Sequence, residues 1–358
     1  MKKRATPLFL NRAFQRTLTT LTRSALARST QAMKQALRAT PRPRKALATR
    51  PKVRPKSVTV KASEGRSGVA LTATGPRRYR LFTPSGVRRN EHLPLLVMLH
   101  GCGQDAQGLS TLSRMNRIAE RERFLVLYPE QDRLANPQAC WNWFDTRTGR
   151  AQAEADSIET LLTQVSLTHP VDPNRIAVAG LSAGAGMAAL LAMRHPKRFR
   201  AVAMHSGIAP GVAHSTATAL SAMAGRQITA AAALASDVEL PALLVIQGRA
   251  DPVVSPRNGT EAARSWAAHS GAKPSPPRTV QRGARYAMTV TDYRAASRLQ
   301  VTLCEVTGLG HAWSGGAPGQ PYSDPKGPDA SRMIWAFVAK QCAALSAHPP
   351  HDSDSNGH

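Results

Sequence analysis

Between Arg175 and Met193 the chain reads RIAVAGLSAGAGMAALLAM, and no other run constrains the fold as much. Its first part, Arg175 to Ala179, is a short apolar stretch of the kind that forms a strand buried on both faces. From Ala183 onward Ala, Met and Leu take over, and the segment reads as a helix. Ser182 sits at the changeover, between Gly180 and Gly184. A sharp strand-to-helix turn there drives the serine backbone into a strained region and leaves no space for bulky neighbours, so the flanking residues must be small. The hydroxyl and three glycines, with a change of period halfway, argue against a membrane span.

The surrounding sequence repeats the alternation. Arg78–Thr83 reads as an edge strand. Leu95–Leu99, Phe124–Tyr128, Ala201–His205, Ala242–Ile246 and Leu299–Val306 read as further strands. Helical spacing covers Leu109–Arg123, Ala151–Val165, Glu261–Ser270 and Ala330–Leu345. Strands alternating with helices predict an α/β fold around a mostly parallel sheet. The Ala/Ser/Thr-rich segment Gly207–Glu239 interrupts the pattern and reads as a cap or loop insertion. With 358 residues, 42% of them apolar, the chain can bury one sizeable core.

A parallel α/β sheet places its site beyond the carboxyl ends of its strands. Ser182 falls there, at a helix entry where unpaired N–H groups and the positive end of the helix dipole converge. It occupies the centre of a G-x-S-x-G pattern, and the Ala183 N–H can point at an oxyanion on a bound ester. A serine nucleophile needs a base and an acid to orient that base, in the chain order Ser, Asp/Glu, His. Asp251, in VIQGRADPVV, follows the strand Ala242–Ile246, and His311, in VTGLGHAWSGG, follows the strand ending at Val306. The competing readings are a packing serine, a turn-forming Asp before Pro252, and a loop histidine. Asp237 and Asp292 are the fallback acids. His100 ends a strand upstream of the serine and is expected to shape an oxyanion loop, His100-Gly101-Cys102-Gly103, whose backbone N–H groups near Cys102 supply a second donor. His205 also follows a strand but precedes the acid.

Charge is concentrated at one end. Residues 1–63 hold 17 of the 48 Lys and Arg, and no acid occurs before Glu64, so 31 basic residues face all 22 acids in the rest. Arg12–Ala39 fits a basic amphipathic helix or a disordered solvated arm, and 40–57 reads as a linker. Such an arm suits contact with an anionic surface, a membrane or a polymer granule. No nucleic-acid motif is present. Ala5–Asn11 is too short for the apolar core of a secretory signal. Residues 347–358 read as a disordered tail. The four cysteines, Cys102, Cys140, Cys304 and Cys342, allow two disulfides in three connectivities, or buried free thiols, and no C-x-x-C pair suggests zinc.

Five segments together resemble the poly(3-hydroxybutyrate) depolymerase-like esterase family: LHGCGQ (99–104), CWNWF (140–144), GLSAGAGMA (180–188), HSGIAPG (205–211) and GLGHAWSGG (308–316). The resemblance spans roughly residues 75–345 and implies an α/β-hydrolase fold for a catalytic domain over 70–346. It implies Ser182 as nucleophile, Asp251 as acid, His311 as base, and the Cys102 and Ala183 amides as oxyanion hole. It also implies a Cys102–Cys140 disulfide, with Cys304–Cys342 as the remaining pair. Members act on short-chain hydroxyalkanoate polyesters or on feruloyl and acetyl esters, and a serine mechanism through Ser182, Asp251 and His311 is expected to need no metal or organic cofactor. Many are secreted, which points to the exterior or the cell envelope; the lack of a clear signal keeps the cytoplasm open. Trp141, Trp143 and Trp313 flank the site loops in a chain with only 5% aromatics and are expected to line an apolar acyl groove, with loop packing as the competing role. A reading of another class makes the chain a surface-binding protein that works through its arm; the complete Ser, Asp and His set favours an enzyme.

Overall fold

A computed structural model describes residues 65–88, 90–226 and 238–346. The basic arm and linker, the fallback acid Asp237, and the tail beyond 346 lie outside the described residues.

The strands are β1 (Arg66–Thr72), β2 (Gly75–Phe82), β3 (Leu93–Leu99), β4 (Leu125–Pro129), β5 (Val171–Leu181), β6 (Ala201–His205), β7 (Ala242–Gly248), β8 (Lys273–Pro274), β9 (Arg278–Val280), β10 (Met288–Ala295), β11 (Arg298–Val306), β12 (Trp313–Ser314) and β13 (Ser323–Asp324). The helices are α1 (Ala106–Ser113), α2 (Met115–Glu122), α3 (Arg150–Thr168), α4 (Ala183–Arg194), α5 (Thr216–Met223), α6 (Arg257–His269) and α7 (Ala330–Ser346). One sheet runs in the order β1-β2-β4-β3-β5-β6-β7-β11-β10-β8, with β9 also on β10. The strands from β4 across to β11 are parallel, and antiparallel pairs flank them at both ends. The structure is an α/β-hydrolase fold.

The apolar runs are continuous because helices cover both faces of the sheet. Leu95, Val97 and Leu99 of β3 face the layer of α3, α4 and α6, whereas Leu96 and Met98 face the layer of α1, α2 and α7. Both clusters are shut off from water, and each side chain of this size contributes about 1.5–3 kcal/mol by burial.

The structure differs from expectation in places. The helix read over 109–123 is two, because Arg114 takes a left-handed conformation at φ 54°. Strand β10 (MTVTDYRA) was not anticipated: only Val290 and Tyr293 in it are buried, so it lacks an apolar run. Cys304 and Cys342 are free, which corrects the second disulfide. Cys304 lies on β11 between Ile246 of β7 and Val290 of β10. Cys342 lies on α7, near Asp172, Arg175 and Arg200 at the opposite ends of the strands. Burial pushes the two thiols up to about 12 and about 11.

Candidate active site

The turn from β5 into α4 is tight. Gly180 has no room for a Cβ, which would lie 2.1 Å from the Gly184 carbonyl oxygen. A Cβ on Gly184 would lie 2.3 Å from the Leu99 oxygen and 2.5 Å from that of His100. Ser182 adopts φ 56° and ψ −119°, a strained geometry for a residue with a side chain. It is held by its own N–H donating to His205 O at 2.9 Å, and by Ala185 N–H donating to Ser182 O at 3.0 Å. Its hydroxyl is thereby lifted out of the sheet at the carboxyl ends of the strands.

Two later loops converge on it. His311 Nε2 stands 3.0 Å from Ser182 Oγ, and His311 Nδ1 stands 2.8 Å from Asp251 Oδ2. The other carboxylate oxygen of Asp251 accepts the N–H groups of Val253 and Val254, both at 2.9 Å. With Nδ1 facing a carboxylate, the imidazole carries its proton there and leaves Nε2 free to accept one from the serine. The Asp251 carboxyl is wholly buried, while His311 keeps 12% of its side chain in solvent. Burial works against ionisation of Asp251. The hydrogen bond and charge of His311 and the two loop N–H groups outweigh it, so the carboxyl is held below the usual carboxylate range. Asp292, the fallback acid, instead lies on β10, pairs with Arg278 at 2.8 Å and accepts from Thr302 of β11.

The loop after β3 faces the serine. Gly101 N–H donates to Gln104 Oε1 at 2.9 Å and Gly103 N–H to Gln138 O at 2.8 Å. Cys102 is disulfide-bonded to Cys140, which ties this loop to the CWNWF segment. The Cys102 and Ala183 N–H groups have no acceptor among the described residues, which leaves two donors beside Ser182. His100 is fully buried: Nδ1–H donates to Gly101 O at 2.9 Å and Nε2 accepts from Gln131 N at 3.1 Å. Burial lowers it to about 4, so it is a neutral strut beneath the loop.

A cleft of about 600 Å³ opens at Ser182, walled by Trp141, Trp143, Phe144, Ile208, Leu220 and Met223. Trp143 packs over Gly186, where a Cβ would come within 2.9 Å of its ring. Trp141 has the His100 ring at 5.5 Å and the Arg77 guanidinium at 5.2 Å. Trp313 does not join this wall, which corrects the expectation. It is fully buried in the layer of α1, α2 and α7, where its indole N–H donates to Ser331 Oγ at 3.1 Å.

Two supports escaped sequence reasoning. His205 stacks on Trp313 at 5.1 Å, and its Nε2 accepts the Ser314 N–H at 3.1 Å, which anchors the loop carrying His311. Burial pushes His205 down to about 3, with the nearby charge of His311 acting in the same direction. The second is a buried polar brace: Glu154 of α3 accepts from Asn142 N at 2.8 Å and from Gln131 Nε2 at 2.7 Å, holding the CWNWF segment in place. A Glu on the apolar face of α3, one helical turn before Ile158, was the available signal. Among the described residues no group of three His, Cys, Asp or Glu stands together as a metal site. Nor is any helix there long and apolar enough to cross a membrane.

In sequence and fold the chain is similar to known depolymerases and esterases. Poly(3-hydroxyalkanoate) depolymerase C from Paucimonas lemoignei is 30% identical over 264 residues, covering 68% of this chain and 60% of its own length. Acetylxylan esterase A from Aspergillus oryzae is 25% identical over 217 residues, 56% of this chain and 69% of that protein. Feruloyl esterase B from Neurospora crassa is 26% identical over 211 residues, 54% of this chain and 70% of that protein. The solved acetyl xylan esterase from Aspergillus awamori superposes with a TM-score of 0.60 at 19% identity, over 76% of this chain and all of that one, a likeness of fold. A model of the family described as Esterase PHB depolymerase matches residues 77–271, more than half of the chain, and the chain therefore belongs to the PHB depolymerase esterase family.

Proposed function

We propose that the chain is a serine-dependent carboxylic ester hydrolase, and that residues 70–346 are its catalytic domain. The observation that carries this reading is the His311 imidazole bridging Asp251 at 2.8 Å and Ser182 at 3.0 Å. In the proposed cycle Ser182 Oγ attacks the ester carbonyl carbon while its proton passes to His311 Nε2. The carbonyl oxygen becomes an oxyanion held by the Cys102 and Ala183 N–H groups. Collapse expels the alcohol, which takes the proton from His311 and leaves an acyl-Ser182. Water then attacks that ester, giving its proton to His311, and the acid is released as Ser182 recovers its proton. Asp251 fixes the imidazole tautomer and stabilises its charged form.

For substrate we propose short-chain hydroxyalkanoate esters and their oligomers, with Trp141 and Trp143 walling the acyl cleft. The similarity to a poly(3-hydroxyalkanoate) depolymerase supports this choice. Acetyl or feruloyl carbohydrate esters are the second reading, favoured by the similarity to an acetylxylan and a feruloyl esterase. We place the protein outside the cell or in its envelope, since the Cys102–Cys140 disulfide suits an oxidising compartment. The charge of residues 1–60 supports their contact with an anionic surface, membrane or granule; deleting them should remove that binding and leave soluble-ester turnover intact.

The deciding test is hydrolysis of a short-chain chromogenic ester by wild type and by Ser182→Ala, at matched thermal stability. Removing the hydroxyl should lower kcat on the order of 10⁶-fold, as in comparable triads. Unchanged turnover would exclude Ser182 as nucleophile. A panel of 3-hydroxybutyrate oligomers, acetylated xylan and methyl ferulate then separates the substrate readings.

A further inference from the structure

A second concavity lies outside the cleft around Ser182. Helices α2 and α7 and the β9–β10 hairpin enclose a groove of about 500 Å³. Its floor is apolar: Ile118 from α2, Val280 and Met288 from the hairpin, and Met333 and Trp335 from α7. Trp335 is held flat by stacking on Phe124 at 3.5 Å. One end continues into a smaller concavity of about 230 Å³, where Arg114, Arg117, Arg121, Arg285 and Arg332 converge.

The cationic end is under-compensated. Arg121 pairs with Glu122 at 2.7 Å. Among the described residues, the only other carboxylate lining either concavity is Asp329, which accepts the Arg332 backbone N–H at 3.1 Å. Arg114 and Arg285 donate to the carbonyls of Gly315 and Gly327, which neutralise no charge. The guanidinium groups of Arg117 and Arg332 make no ion pair or side-chain hydrogen bond among the described residues. Their forks are therefore unengaged, and guanidinium is the side chain best matched to phosphate oxygens.

We propose that this groove binds a single-chain amphiphile with a phosphate head group, the aliphatic chain on the Met333–Trp335 floor and the phosphate among the arginines. Both halves are needed. An apolar trough alone would not explain five converging cations, and a cation cluster alone would not explain the recessed floor. A phosphate carries up to two charges and three free oxygens, which matches this surplus better than one carboxylate does.

The test is titration calorimetry of the full chain with monodecyl phosphate below its micelle concentration. Binding should weaken about fourfold for each methylene removed as the chain is shortened to ethyl phosphate, because every buried methylene adds to affinity. Inorganic phosphate should bind at least tenfold more weakly. Arg117→Ala combined with Arg332→Ala should cost about ten- to a hundredfold in affinity while chromogenic-ester turnover and thermal stability stay at wild-type values. Affinity unchanged in that variant would place the amphiphile elsewhere, the Ser182 cleft included, and overturn the proposal. Decanoate binding as tightly as decyl phosphate would overturn the choice of head group. Affinity independent of chain length, or binding only to anionic phospholipid vesicles, would overturn the groove as a single-chain site.

Discussion

Replacing Gly184 by alanine sets two effects of opposite sign against each other. In an ordinary helix, Gly to Ala stabilises by about 1 kcal/mol. Here the added methyl would sit 2.3 Å from the Leu99 oxygen and 2.5 Å from the His100 oxygen. Relief to a 3.0 Å contact requires a separation of about 0.7 Å, and neither atom is the tip of a flexible side chain. Overpacking of this kind costs about 1–3 kcal/mol, so a net loss of stability is expected. The displacement also falls where function is most exposed to it. Leu99 and His100 lead directly into Gly101-Cys102, while Gly184 follows Ala183, so the strain pushes the two free N–H donors apart. Misplacement approaching 1 Å costs about 10²-fold in rate. The expected result is a kcat on a chromogenic acetate reduced roughly 100-fold, with KM little changed, and a melting temperature a few degrees lower. A variant that melts higher than wild type with kcat intact would refute the argument. It would mean that β3 and α4 separate without cost and that the oxyanion geometry does not depend on their contact.

Acid should destabilise the protein through its buried histidines. The unfolded chain takes up protons near pH 6.5, whereas His100 and His205 resist them down to about 4 and about 3 in the fold. Their contribution is therefore complete above pH 6.5 and is lost as pH falls from there toward 4. Each removes roughly 2–3 kcal/mol by two pH units below 6.5, which denaturant titrations at pH 7 and 4.5 will measure. Native protein should expose no thiol to a disulfide-exchange reagent, and denatured unreduced protein two, Cys304 and Cys342; a native reaction would contradict their burial. Reducing Cys102–Cys140, which are 38 residues apart, should cost up to about 4 kcal/mol by loop entropy and depress ester turnover through the loosened Cys102 loop. Trp313→Phe should lower stability by about 1–2 kcal/mol, since Ser331 loses its donor, while leaving KM for acyl chains unchanged; Trp143→Ala should raise that KM.

Strands β3, β4, β6 and β7 were legible because both their faces are covered, which makes their apolar runs continuous. Strand β10 was not, since it buries only Val290 and Tyr293 and its apolar residues form no continuous run. Ser182, Asp251 and His311 could be found because each follows a strand end, and a parallel sheet brings such ends to one edge. Trp313 misled for a related reason: two residues from His311 in sequence, its side chain drops into the opposite layer. Chain proximity does not say which face of a sheet a loop residue takes. The role of His205 was invisible because its partner Ser314 lies 109 residues away, whereas Glu154 left a trace as an acid on the apolar face of α3.

Strand β11 docks on β7, and only then does His311 reach Ser182, 129 residues earlier, and Asp251, 60 residues earlier. Synthesis runs from the N-terminus at about 5–20 residues per second. In the proposed cycle the nucleophile therefore emerges long before its base, and a nascent or truncated chain ending before β11 would carry Ser182 without its activating imidazole. On that reading, reactivity arrives only once the last strand of the main sheet has docked.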